Sequence, residues 1–362
     1  MQITKVWARK NVPVLLAVSF ASLAFVGCSA VGGDIAKVRS DAASEVAKNN
    51  LTGAESMLRQ AIDAREKSDG KDNIKVAGAL IDLGTVYAKE GKAAQAAETF
   101  KRASDIQQND MKPQMLALTK SLNGLGLAYV HQGKYAAAEE VLQQALTVRE
   151  DNLDAGSKDI GESENSLAQL YFETRHYPEA EALYKEAQAI YEKTSGSDSA
   201  DTANVRNNLG SLYYAEGKYG QAEPLLKWSL EAFEKTTGKD SLDVANVANN
   251  LGETYRAEKR FNDAEPLFKR ALAINETTCG KSSPAVANSC NNLALLYHSE
   301  GRYADAEPLY KRSIAIFEAT GGPNNPPLAS VATNYAELLH MTGRDAEANA
   351  VQQKAAQRVA QQ

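Results

Sequence analysis

Asparagine is the residue whose recurrence in this chain most needs a chemical reason. It returns every 42 residues at Asn208, Asn250, Asn292 and Asn334, and one helical turn earlier at Asn204, Asn246 and Asn288. A third row holds Asn165, Asn207, Asn249 and Asn291. Asparagine is a poor helix former, because its side chain competes for the backbone. A carboxamide both donates and accepts hydrogen bonds. It can therefore pair with the main chain of an extended peptide whatever side chains that peptide carries, or it can tie one helix to the next. The first use predicts a peptide groove built on Asn204, Asn208, Asn246, Asn250, Asn288, Asn292 and Asn334. Asp82, Gly124 and Ser166 stand at the Asn208 position of earlier repeats, so the groove should be best developed over residues 199–340.

Other constellations fall short. Gly280-Lys281-Ser282 lacks the glycine that a phosphate loop requires five residues upstream, where Asn275 stands. His131, His176, His298 and His340 have no metal-ligand spacing, and His298 and His340 read as surface residues. No serine sits in a nucleophile elbow. No catalytic residue, metal or cofactor is expected. Three cysteines exclude a disulfide scaffold. Cys279 and Cys290, joined by one short loop, could pair in an oxidising compartment, which would contribute roughly 3 kcal/mol. The alternative is two small buried thiols, since Cys290 takes the place of Ala248 and Ala332. The net charge of −6 argues against nucleic acid, whose phosphates need a basic surface.

The elements that must position the asparagines follow from a repeat. A small residue recurs as Gly84, Gly126, Ala168, Gly210, Gly252, Ala294 and Ala336. An aromatic three residues later recurs from Tyr87 to Tyr297, and an alanine recurs from Ala96 to Ala348. Seven units fit without insertion, and Asp34–Lys48 with Leu51–Lys67 make an eighth, divergent one. Within a unit, Leu251, Tyr255, Phe261, Ala264, Phe268 and Ala271 lie at helical spacings on two helices. Gly91, Gly133, Gly217, Gly301 and Gly343 mark the turn between them. The 59 alanines among 362 residues, with only 34 glycines and prolines, agree with an all-α protein.

This pattern resembles the tetratricopeptide repeat. The 42-residue spacing and Ala264-Glu265-Pro266-Leu267-Phe268-Lys269-Arg270-Ala271-Leu272 are similar to its kinesin-light-chain type, as are Asn249-Asn250-Leu251 and Ser283-Pro284-Ala285-Val286-Ala287. The resemblance implies a right-handed α-solenoid over residues 34–362, with first helices lining a concave face. It also implies that the Asn208 position contacts a peptide and that the chain is a non-catalytic scaffold with a protein or peptide partner. Glu253 and Glu337 beside the asparagines speak against a clamp for acidic peptides. Gln352, at the position of Phe100, Leu142, Tyr184, Leu226, Phe268 and Tyr310, reads as a cap on the last unit. Two charge ladders are expected to complement helix dipoles and keep the surface solvated: Lys92, Lys134, His176, Lys218, Arg260, Arg302 and Arg344 just after the first helices, and Glu139, Glu181, Glu223, Glu265 and Glu307 in the first turn of the second helices.

The first residues read as an address. Lys5, Arg9 and Lys10 precede an apolar run from Val12 to Gly27, which is short for a membrane span. Leu23-Ala24-Phe25-Val26-Gly27-Cys28 resembles the lipobox of bacterial lipoproteins. That resemblance implies cleavage after residue 27 and a lipid on Cys28, with a linker to residue 33. Ser29 after the cysteine is compatible with an outer-membrane lipoprotein facing the periplasm. Losing the three leading cations takes the charge from −6 to −9. Two functions fit: a lipid-anchored adaptor that binds a peptide or protein on its concave face, or an assembly factor for secretion, pilus or cell-wall machinery acting mainly through its location.

Overall fold

The computed structural model describes residues 35–109, 115–320 and 326–360. The expected signal peptide (1–27), Cys28 and the linker to residue 33 lie outside the described residues. Among those described, every regular element is an α-helix, and the helices form eight pairs. The first four pairs are α1 (Ile35–Ala47) with α2 (Leu51–Asp69), α3 (Ile74–Lys89) with α4 (Ala93–Asn109), α5 (Met115–His131) with α6 (Tyr135–Asn152), and α7 (Lys158–Glu173) with α8 (Tyr177–Thr194). The next four are α9 (Ala200–Ala215) with α10 (Tyr219–Thr236), α11 (Leu242–Ala257) with α12 (Phe261–Cys279), α13 (Pro284–Ser299) with α14 (Tyr303–Thr320), and α15 (Pro326–Met341) with α16 (Asp345–Ala360).

Local chemistry sets the boundaries. Ser157, Ser199, Ser241 and Ser283 cap α7, α9, α11 and α13, each hydroxyl accepting from a backbone N–H two or three residues on. Inside the pairs, Gly91, Gly133, Gly217, Gly301 and Gly343 turn the chain with φ between +69° and +75°. Arg175 and Lys259 hold the same place at φ +61° and +59°. A side chain there crowds its own backbone at a cost of about 1–2 kcal/mol. Lys259→Gly is therefore expected to raise stability by up to about 1 kcal/mol after glycine's own entropy is deducted. The urea midpoint should move up at unchanged slope.

The small residues let the helices close. A Cβ on Gly126 would lie 2.4 Å from Leu142 Cγ, and one on Gly210 would lie 2.8 Å from Leu226 Cγ. The alanine row from Ala96 to Ala348 is wholly buried. Phe100, Leu142, Tyr184, Leu226, Phe268 and Tyr310 are buried between units, whereas Gln352 is exposed, as a cap requires.

Curvature follows from which helices meet. First helices of successive pairs touch, from α1 with α3 to α13 with α15, while second helices approach only as closely as long side chains can bridge. The first helices therefore lie on the tighter, concave side. The array curls far enough for Asn49, between α1 and α2, to donate to the Thr278 carbonyl near the end of α12 at 3.0 Å.

Candidate functional site

The concave wall of α9, α11, α13 and α15 brings the asparagines together. Asn204, Asn246 and Asn288 are exposed on it, and Asn208, Asn250, Asn292 and Asn334 are half-buried one turn on. Both uses of the amide occur. Asn208 Nδ2 donates to Asn165 Oδ1 (3.1 Å), Asn250 Nδ2 to Asn207 Oδ1 (2.9 Å) and Asn334 Nδ2 to Asn291 Oδ1 (3.1 Å). These bonds run from one first helix to the preceding one. Asn250 also donates to Ser211 Oγ (3.2 Å), and Asn208 to Asn204 Oδ1 (3.2 Å). The corresponding bond from Asn292 to Asn249 is not made, and Asn249 Oδ1 is buried without a partner. Asn246, Asn288 and Asn292 make no hydrogen bond through their amides among the described residues. Beside them, Glu253 is held by Arg256 Nη2 (2.7 Å) and the Tyr214 hydroxyl (3.3 Å), so the wall carries little free charge there.

The basic ladder follows the ends of the first helices, where a cation complements the dipole as expected, whereas the ladder glutamates lie just beyond the first turn of the second helices rather than within it. The cations are the residues immediately before the second helices; Lys134, His176, Lys218 and Arg260 occupy N-cap positions without capping bonds. For those helices a cation is at the wrong end of the dipole. The two ladders also join neighbouring units. Arg260 lies 2.8 Å from Glu223, Arg302 3.1 Å from Glu265, Arg344 2.8 Å from Glu307 and Lys92 2.9 Å from Glu55. The tyrosine of the same unit grips the same carboxylate: Tyr255 donates to Glu223 (3.0 Å) and Tyr297 to Glu265 (2.9 Å). Lys227 and Lys269 bond Glu223 and Glu265 from their own helices, and with the arginines hold both carboxyls down to about 2. Arg344 and Lys311 do the same for Glu307. The signal was present in the sequence as constant spacings of 37 and 32 residues between ladder members.

Two polar residues of the core escaped sequence reasoning. Arg149 is 1% exposed on α6 and donates to Thr119 Oγ1 (2.8 Å), Ser163 Oγ (2.8 Å), Glu162 Oε2 (2.9 Å) and the Asp159 carbonyl. Glu164 on α7 is 6% exposed, and its Oε2 has no partner. Cys290 is buried and Cys279 half-buried, both as free thiols; burial pushes the Cys290 thiol up to about 11. His298 is half-buried rather than on the surface, against the Tyr310 and Tyr303 rings. Among the described residues no group of His, Cys, Asp or Glu could hold a metal ion, and no helix is long and apolar enough to cross a membrane.

Stacked helix pairs with a polar inner wall define a solenoid that works by presenting a surface, as a scaffold for protein–protein contact. The tetratricopeptide repeat family model matches residues 42–109, 116–193, 159–235, 198–277, 243–319 and 283–360, and the chain belongs to that family. No curated protein matches. Among solved structures, BtubC (BKLC) from P. vanneervenii is 23% identical with a TM-score of 0.50, covering 68% of this chain and 92% of that one. A Rap protein complexed with Competence and Sporulation Factor is 16% identical with a TM-score of 0.61, covering 90% and 92%. Kinesin light chain repeats from Podosopora anserina are 24% identical with a TM-score of 0.48, covering 56% and 95%.

Proposed function

We propose that the chain is a non-catalytic adaptor held at the bacterial envelope by a lipid on Cys28, facing the periplasm, and that it takes an extended peptide segment of a partner along the α9–α15 wall. The observation that carries the reading is the set of side-chain amides at Asn246, Asn288 and Asn292. They line one concave face with donors and acceptors unused among the described residues. An extended peptide has one donor and one acceptor per residue, and an amide row answers both without reading side chains. The Rap protein complexed with Competence and Sporulation Factor has a similar fold, which supports a solenoid receiving a ligand. The anchor rests on the order of basic residues, apolar run and Cys28 in the sequence.

The structure decides which variant tests the groove. Asn250 bonds Asn207 and Ser211, so its loss would disturb packing as well as binding. Asn246→Ala, Asn288→Ala and Asn292→Ala together remove amides that bond nothing among the described residues. Such surface changes typically stay within about 0.5 kcal/mol each. The tagged full-length triple variant is expected to melt as wild type does and to lose partner capture from solubilised membranes, read by mass spectrometry. Equal capture would refute the groove. Palmitate should label the wild type and not Cys28→Ala; labelling of both would refute the anchor.

A further inference from the structure

Around the outer side of the solenoid one set of equivalent positions runs as closed charge pairs. A glutamate on one second helix meets a cation on the next: Glu66 with Arg102 (2.5 Å), Glu234 with Arg270, Glu276 with Arg312 (2.5 Å) and Glu318 with Lys354 (2.7 Å). The carbonyls of Lys71, Lys239 and Lys281 also accept from the three arginines. Between α8 and α10 the cation's place is taken by Trp228, and Arg206 of α9 substitutes. It lies 2.6 Å from Glu192, with its guanidinium 3.7 Å from the centre of the indole.

The series is interrupted at two adjacent junctions: α4–α6 carries the neutral Gln108, Gln144 and Leu122 at these positions, and α6–α8 carries only acids. The same positions hold Glu150 on α6 and Glu186 on α8, and Glu164 of α7 stands where Arg206 stands one unit later. Three carboxylates stand together here, where five other junctions contain a cation and the α4–α6 junction holds no charge at these positions. Glu150 and Glu186 are exposed, while Glu164 is nine-tenths buried with Oε2 unpartnered. Burial and the charges of Glu186 and Glu150 push the Glu164 carboxyl up to about 8. Tyr191 on α8 is the other titratable neighbour; its hydroxyl is pushed above the usual tyrosine range by burial and by nearby carboxylates, Glu164 among them. The Arg149 guanidinium on α6 does not fill the gap, being committed to Thr119, Ser163, Glu162 and the Asp159 carbonyl. A buried carboxyl without a partner is costly, and a cation is what relieves it.

The geometry points to the α6–α7–α8 junction as a socket for one guanidinium group brought by another molecule, on the side opposite the asparagine wall. Guanidinium is favoured because arginine fills four of the five closed junctions. Its planar fork also suits two carboxylates at once. On entry the Glu164 O–H bond breaks, the proton leaves to solvent, and the carboxylate pairs with the incoming cation. Binding is therefore linked to proton release.

The test is calorimetric titration of the full chain with agmatine and, separately, with N-acetyl-arginine amide, in two buffers of different ionisation enthalpy. Binding should tighten from pH 6 to pH 8 and release a proton. Tighter binding of the arginine amide assigns the socket to a protein side chain, and tighter binding of agmatine to a free cation. Glu186→Arg rebuilds the pairing seen at the closed junctions. It should weaken binding about tenfold or more and raise the urea midpoint. Glu164→Leu, which copies Leu80 and Leu122, should abolish proton release. No binding, binding without proton release, or undiminished binding by Glu186→Arg would overturn the assignment.

Discussion

Arg149→Ala is expected to lower the free energy of unfolding by about 3–5 kcal/mol, the usual result of removing one member of a buried polar cluster. The side chain is fully buried between α5, α6 and α7 and satisfies four acceptors at once. Its loss leaves a cavity and strips hydrogen bonds from Ser163 Oγ and the Asp159 carbonyl. The equivalent positions two units later show an apolar solution to the same packing problem: Phe233, Val247 and Ala203 stand where Arg149, Ser163 and Thr119 stand here. All three are buried. The triple variant Arg149→Phe, Ser163→Val and Thr119→Ala should therefore recover most or all of the stability, since well-packed apolar replacements of buried polar clusters are often neutral or better. Repeat arrays couple mainly to their neighbours. Hydrogen exchange should thus localise the loss in the single variant to α5–α8. A single variant as stable as wild type, or a triple variant no better than the single, would contradict the argument.

The contrast between Arg149 and Phe233 shows what the sequence makes legible. Repetition exposed the helix pairs, the turns and the inner wall, because those features recur in most units and any one confirms the others. The divergent first unit was found the same way, and α1 and α2 fall where it placed them. Departures from the repeat carry the rest. Arg149 and Glu164 are single substitutions at core positions, and a register reading treats them as noise until the partners are known. The charge ladders were legible only in part. Along one helix a dipole is the obvious partner, whereas the carboxylates and cations also meet across the junction between units. The asparagine rows were legible as polar and repeated. Which of them bond to neighbouring helices depends on the stagger of adjacent units, and one sequence row does not contain that stagger.

Acid and alkali should weaken the fold through two different sets of carboxylates. Glu223, Glu265 and Glu307 are held at about 2 against an ordinary 4.5 by lysine, arginine and tyrosine partners. A depressed carboxyl contributes stability that is fully present above 4.5 and is lost as the pH falls through 2, because the unfolded chain binds the extra protons. Glu164 runs the other way. Its folded value is raised from 4.5 to about 8, so between those values the folded chain holds a proton that the unfolded chain has lost. Stability from this group is full below 4.5 and declines as the pH rises toward 8, beyond which the contribution is flat. His298, lowered from 6.5 by burial, acts in the opposite sense below that value, so the test must be differential. Urea midpoints measured from pH 3 to pH 9 should show Glu164→Gln closing on, then exceeding, the wild type as the pH rises from 5 to 8. The acid limb should be shared by both proteins. Glu223→Gln combined with Glu265→Gln and Glu307→Gln should flatten that acid limb and leave the alkaline decline in place. Glu150, raised by burial and by Asp151 and Glu186, adds a decline of the same sign, so an alkaline decline as steep in Glu164→Gln as in the wild type would mean that the Glu164 carboxyl is ionised in the folded chain at neutral pH.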